Sequence, residues 1–326
     1  MNNTIKFSVS SQNSGKRLDI FLTENIDNYT RSFLKKLIEN KQVILNKILI
    51  TSPSIRIKHK DQIIVNFTQK NEENIVPKKM KLDIVFEDKD ILVLNKPKGL
   101  VVHPGAGNKK NTLVNALLFK YKKNLSDING LLRPGIVHRI DKETSGLLVV
   151  AKNNFAHSNL GDQFSKHTIK RKYLCLSWGV VRPLYGKINT LITRDKNNRQ
   201  LMTVSDVSGK KAITNYKTIK VFNVKNIPKI SLIECELETG RTHQIRVHLK
   251  YKGTSLLGDK QYGKKNIKFK KINNEFSTSL NQLSGQALHA KTLEFEHPTT
   301  KKWISFNSDL PRSFKKILKL LENLSS

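Results

Sequence analysis

The chain is poor in cysteine, in acidic residues and in long apolar runs. Its 326 residues include two cysteines, Cys175 and Cys235, each inside an apolar, strand-like stretch. Two such thiols exclude a disulfide framework and imply a reducing compartment. The longest clean apolar run, LLVVA at 147–151, is far too short to cross a bilayer. The opening MNNTIKFSVSSQ lacks the charged and apolar regions of a signal peptide. A cytoplasmic protein that makes no membrane contact is expected. Nucleotide motifs are missing too. There is no G-x-x-x-x-G-K-[ST], and HPGAGN at 103–108 has no third glycine, so it reads as a tight turn. The histidines of HQIRVH, His243 and His248, are five apart with no Glu between them, whereas a helical zinc pair needs i, i+4 spacing. Neither a metal nor a cofactor is expected.

Positive charge is abundant. Against 26 Asp and Glu stand 59 Lys and Arg, a net charge of +33 and a pI near 10.1. This exceeds what solubility requires and makes a polyanion the default partner. Lys, Asn and Ile are all over-used, as in AT-rich coding, so part of the excess is compositional. Hydrophobic residues at 37 % suffice for a core, and the length suits one large domain plus a small one.

Residues 1–68 read as a compact basic module. After a strand in TIKFSVS, the apolar spacing of Leu18, Phe21 and Leu22 predicts a helix. Phe33, Leu34, Leu37 and Ile38 predict a second, with Thr30 as N-cap. QVILNKILI alternates as a hairpin turning at Asn46-Lys47, and HKDQIIVNF supplies a further strand. Arg17, Arg31, Lys35 and Lys36 ride on the helical part. The stretch resembles the S4 RNA-binding domain, with its RLD start, Ser/Thr-Arg helix and V-x-(I/L)-N turn. That resemblance implies a small α/β fold and RNA contacts through these four cations. It departs from the family at Asn40-Lys41, where glycine is usual, and at Asn46-Lys47, where Asn-Gly is common. Residues 69–80, QKNEENIVPKKM, read as a linker.

From residue 81 to 326 strands and helices mix without strict alternation, which argues for an α+β fold around a mainly antiparallel sheet with flanking helices. DIVFEDKDILVLNKPKG reads as two strands, and NTLVNALLFKYKK and NNFAHSNLGDQFSKH as helices. RKYLCLSWGVV, AITNYKTIKVF and ISLIECELETG read as strands, and the tail closes with a helix. THQIRVHLKYKG reads as a short helix with Thr242 as N-cap and Gly253 just past its end. NIKFKKINNEF reads as a basic loop.

One segment stands out. In GIVHRIDKETSGLLVVAK, Gly135 and Ser145-Gly146 bracket an irregular stretch that runs into a buried strand. Asp141 therefore falls on a loop at a sheet rim, where side chains meet ligands. Arg139 and Asp141, two apart, lean to one side of an extended chain. The residues alone leave open a plain surface ion pair.

HRIDKETSGLLVVAK is similar to the signature of the RluA/RluD family of pseudouridine synthases, commonly HRLDxxTSGLL. GLVVHPGAGN precedes it in the family order. KRKYLCLSWG, LETGRTHQIRVHL, LLGDKQYG and QALHAKTLEFEHP follow. The set resembles the RluD branch most, which implies large-subunit (23S) ribosomal RNA, free or in an assembling subunit, as the partner, with a monomeric enzyme as the default. The resemblance implies that Asp141 is the catalytic aspartate, either adding covalently or taking a ribose proton. Both routes need the ionised form, which a nearby cation favours. It implies Arg246 as that cation and Tyr173 as the residue that stacks on the target base and serves as base at C5. Arg139 would fill the gap left when the uridine leaves its stack, and Leu293 would form part of the uracil wall. His138 reads as a structural hydrogen-bonding histidine. Gly285 stands where Arg is common, so one RNA contact is expected to be missing.

Overall fold

The computed structural model describes residues 3–325 apart from 27–28, 30, 68–74, 106, 109, 123, 129, 131–132 and 264–273. Two sheets organise it.

The first contains β1 (Asn3–Ser8), β2 (Val43–Leu45), β3 (Ile48–Ile50) and β4 (Gln62–Phe67) in the order β1-β4-β2-β3, every pair antiparallel. Helices α1 (Leu18–Asn25) and α2 (Arg31–Glu39) cover it. Leu18, Phe21, Leu22, Leu34, Leu37 and Ile38 bury against Val43, Ile63 and Val65, so the apolar spacing read from the sequence is the packing face. The expected cap, Thr30, lies outside the described residues. Asn46 and Lys47 both take positive φ, 49° and 70°, as the tight hairpin turn requires. Asn46 compensates by donating from Nδ2 to Asp61 and accepting the Gln62 N–H at 2.8 Å. Lys41, past the end of α2, also sits at φ 61°. The departures from glycine thus keep the glycine backbone, at a strain of roughly 1 kcal/mol each.

The second sheet has ten strands. They are β5 (Ile84–Glu87), β6 (Ile91–Lys96), β7 (Ser145–Ala151), β8 (Lys170–Trp178), β9 (Tyr185–Arg194), β10 (Met202–Ser205), β11 (Lys210–Phe222), β12 (Ile230–Leu237), β13 (Leu288–Glu296) and β14 (Trp303–Asn307). The order is β10-β9-β11-β12-β8-β13-β7-β6-β5, with β14 beside β13. Only the short β13–β7 pairing is parallel, so the expected mainly antiparallel α+β sheet is what forms. β7 is buried along its whole length. Leu148 and Val150 face α3 (Leu113–Tyr121), while Leu147 and Val149 face α4 (Asn154–Ser165). A strand sandwiched between helices has no solvated side, which explains a continuous apolar run in place of alternation.

Helix α5 (Gln244–Tyr251) begins one residue later than expected. Its N-cap is His243, in the left-handed region at φ 57°, not Thr242. No side chain caps its first turn; the Gln244 side chain instead braces the preceding loop, accepting from the Arg241 N–H and the Thr239 hydroxyl. Gly253 does follow the helix, at φ 77°. Of the expected basic loop (266–276), residues 266–273 lie outside the described residues, and Asn274 opens a helix, α6 (Asn274–Gln282). This helix and α7 (Arg312–Leu324) cover Leu176, Trp178 and Phe222. No helix among the described residues is long and apolar enough to cross a membrane.

Candidate active site

Two glycines shape the loop before β7. Gly135 (φ 70°) lies so close to β7 that a Cβ would stand 2.6 Å from the Ala151 carbonyl oxygen. Gly146 (φ 114°) lets β7 touch β13, where a Cβ would stand 2.3 Å from the Ala290 oxygen. Between these contacts the chain turns through Asp141, whose carbonyl accepts the Thr144 N–H at 3.1 Å. His138 accepts the Val149 N–H at 3.0 Å. Burial, with Arg171 nearby, pushes its imidazole down to about 3. It is a neutral structural residue, as the sequence suggested.

Arg246, on α5, reaches Asp141 through Nη1, 3.1 Å from Oδ2. Its other two nitrogens are committed: Nε donates to Asp259 Oδ2 at 2.7 Å, and Nη2 donates to Asp259 Oδ1 at 2.9 Å and to Gln261 at 2.8 Å. Tyr262 lies under the guanidinium, 4.8 Å away. Burial works against the Arg246 charge. Asp259 and then Asp141 more than offset it, holding the group above its ordinary value. Burial likewise opposes ionisation of Asp259, but Arg246 and the N–H groups of Tyr262 and Gln261 keep its carboxyl below the usual range. The result is one cation fixed in a fork with a single N–H edge left for Asp141.

Asp141 stands where two spaces meet. A narrow cavity of about 90 Å³ runs back from it, walled by Tyr173, Arg171, Leu237, Ile245 and Leu288. A wide cleft of about 710 Å³ opens in front, lined by Arg139, Lys142, Arg194, Lys260 and Gln261 among others. Tyr173 pairs with Cys235 on one side and Ala290 on the other. Burial raises its hydroxyl, with Arg171 opposing, so it keeps its proton at neutral pH. Arg139 is exposed and donates from Nη1 to His103 Nε2 at 2.9 Å. His103 Nδ1 lies 3.0 Å from the Pro104 carbonyl. A carbonyl only accepts, so Nδ1 carries the proton and Nε2 is free to receive the arginine.

The structure therefore brings Asp141, Arg246, Tyr173 and Arg139 together. It does not bring Leu293. That side chain packs with Ile91, Val93, Leu147, Val149 and Phe295 in the core against α4, and Leu288 walls the cavity instead. Leu288 and Ala290 pack on the cavity side of β13, and Leu293 and Phe295, an odd number of residues further on, on the other side, as strand alternation requires. Gly285 sits at φ 131°, where a Cβ would stand 2.6 Å from the Glu143 Cβ. Arg17, Arg31, Lys35 and Lys36 belong to the four-stranded body and line neither space. There Asp19 binds both Arg17 and Arg31, while Lys35 pairs with Glu39 at 3.6 Å.

The sequence reading passed over Asp259, His103, Arg171 and Lys96. Lys96 is wholly buried at the end of β6 and donates to the carbonyls of Pro97, Leu100 and Lys142, tying the loop after Asp141 to that strand. Burial pushes it down to about 7, against the pull of Asp141 and Glu143. One visible sign was the Asp in LLGDKQYG, a lone carboxylate in a glycine-bounded turn. Elsewhere, Asp88, Asp90 and His297 gather donor atoms within 4.8 Å. His297 donates to Asp88 at 2.7 Å, while Asn153 and Thr299 donate to Asp90. This is a knot of internal hydrogen bonds pinning the β5–β6 turn.

The profile of the RNA pseudouridylate synthase family matches residues 90–251. An uncharacterised RNA pseudouridine synthase of Bacillus subtilis is 41 % identical over 323 residues, covering 99 % of this chain and 98 % of that protein. The ribosomal large subunit pseudouridine synthase D of Zymomonas mobilis is 44 % identical over 320 residues, covering 98 % of each chain. The chain belongs to the RNA pseudouridine synthase family. In fold it is similar to human RNA pseudouridylate synthase domain containing 4, with a TM-score of 0.56 at 24 % identity over 74 % of this chain and 93 % of that one.

Proposed function

We propose that this enzyme acts on uridines of large-subunit ribosomal RNA, free or in an assembling subunit, and that it works as a cytoplasmic monomer. The match in length and identity to proteins named for that substrate and the net charge of +33 support this reading. Residues 1–68 form the RNA-binding head, 69–80 the linker and 81–326 the catalytic domain. The head grips RNA through Arg17, Arg31, Lys35 and Lys36, and the wide cleft takes the backbone around the target.

The reaction breaks N1–C1′, turns the uracil over and joins C5 to C1′, while C5 loses a proton and N1 gains one. Nothing is oxidised, and no group is imported. The target nucleotide leaves its stack to enter the narrow cavity. Arg139, released from His103, fills the vacated place. Tyr173 forms the wall against which the base lies, and its raised hydroxyl favours stacking over base catalysis. Asp141 is the reacting carboxylate, adding at C1′ or taking the 2′ proton, and Arg246 aims it. The observation that carries this is the 3.1 Å contact between Arg246 Nη1 and Asp141 Oδ2 at the mouth of a cavity that holds no other carboxylate among its lining residues.

Isomerisation replaces C5–H by C5–C1′, so ribosomal RNA carrying tritium at uridine C5 reports it by release into water. The wild-type protein is expected to release tritium, and Asp141→Asn is expected to bind the same RNA and release none above background. A folded Asp141→Asn protein that releases at the wild-type rate would contradict the assignment.

A further inference from the structure

Among the described residues the Arg171 side chain has neither a hydrogen-bond nor an ion-pair partner, although the residue is only 7 % exposed. It lies on β8, two residues before Tyr173, and lines the same narrow cavity. Its Nε is sealed from solvent and unpartnered. Its guanidinium lies over the Phe164 ring at 5.2 Å, a contact that supports a cation without neutralising it. The neighbouring ionisable groups supply no resident anion: Tyr173 favours the Arg171 charge but burial keeps its own proton on, His138 is neutral down to about 3, and Arg241 carries like charge. Burial accordingly lowers Arg171 from its ordinary value.

The chain makes room for this lone cation. Gly240, in LETGRTH, has no positive φ to justify a glycine. A Cβ there would stand 2.7 Å from Arg171 Nη1, so the missing side chain is space for the guanidinium. A buried cation without a carboxylate is costly, and such an arrangement in a catalytic cavity belongs where negative charge develops during the reaction.

We propose that Arg171 is a further catalytic residue, which receives the uracil anion formed when N1–C1′ breaks. This rests on the reading of the cavity given above. When the bond breaks, its electron pair stays on the base, and the charge spreads over N1, O2 and O4. The guanidinium donates to that anion, holds it while the ring turns over, and is unpaired again once C5–C1′ has formed and N1 is protonated. The cation offsets the charge of the leaving group at the one stage where uracil is detached.

A leaving group that is already stable as an anion needs less help. The test compares target RNA bearing uridine with the same RNA bearing 5-fluorouridine, whose base forms the more stable anion. Consumption of the target nucleotide is followed under single-turnover conditions at saturating protein. Arg171→Met is expected to slow uridine consumption by about 100-fold or more and 5-fluorouridine consumption markedly less, with RNA affinity unchanged. Arg171→Lys should lie between and, if the Met variant does not fold, should show the same ordering. Equal losses on both substrates, no loss, or a loss confined to RNA affinity (the mark of a phosphate contact) would overturn the proposal. A wild-type protein that consumes neither would overturn the reading of the whole site.

Discussion

Asp19 and Asp259 perform one task in two settings. Each is a buried carboxylate that holds guanidinium groups, with 2 % and 0 % of its side chain exposed. Asp19 holds Arg17 and Arg31, whose side chains are 42 % and 52 % exposed. Asp259 holds Arg246, of which 6 % is exposed. In the small body the carboxylate organises cations that still face water, as the proposed RNA contact would need. In the large body it immobilises one cation, which in turn aims Asp141. The same pair leaves its guanidinium mobile at a surface and preorganised in a core.

The largest effect should come from Asp259→Asn. It leaves Arg246 buried with its main partner neutralised, so a stability loss of about 3–5 kcal/mol is expected in denaturant unfolding, together with near-complete loss of turnover. Asp19→Asn should weaken RNA binding several-fold and leave single-turnover rates at saturating protein unchanged. If the two substitutions had the same signature, the contrast between the bodies would fail.

Acid should separate the bodies next. Burial holds six imidazoles of the large body low, His138 at about 3, His157, His248 and His289 at about 4, and His103 and His243 as well. All start from an unperturbed value near 6.5. Between about pH 6.5 and pH 4 the unfolded chain binds protons that the folded chain refuses, so stability falls as pH falls through that window. The carboxylates Asp19 and Asp259, both held low, act only below it. The small body has no buried histidine among its described residues. Amide exchange should thus accelerate in β7 well before β4 on acidification, and parallel behaviour would count against the account.

The smallest effect is electrostatic. Removing Arg31, Lys35 or Lys36 singly should lower the salt slope of RNA binding by about 0.7 for each phosphate the side chain neutralises, with catalysis untouched at saturation. A change in the catalytic rate would place these residues in the wrong part of the mechanism.

How far these contrasts could be read from the residues alone depended on whether the governing contact was local. Leu18, Phe21 and Leu22 gave a helix face because i, i+3, i+4 spacing is settled within one turn. Asp141 stood out because two glycines and a buried strand frame it within a dozen residues. Leu293 was taken from the resemblance, and its place on the α4 side of β13 shows only in its packing against Ile91, Val93 and Leu147. His243, not Thr242, takes the N-cap place of α5, beside Gln244 contacts to Thr239 and Ile213 that capping rules do not contain. Asp259 was overlooked for a related reason. Its meaning lies in a bidentate bond to Arg246, and only folding shows which of many arginines it meets.

Pseudouridine mapping across all ribosomal RNA tests the central claim most directly. Cells lacking the native enzyme would be complemented with the wild-type protein or with Asp141→Ala, both verified as folded and expressed. Large-subunit sites restored by the wild type and left as uridine by the variant are the predicted result. Sites restored equally by both proteins would contradict the role of Asp141, and sites restored by neither would contradict the proposed substrate.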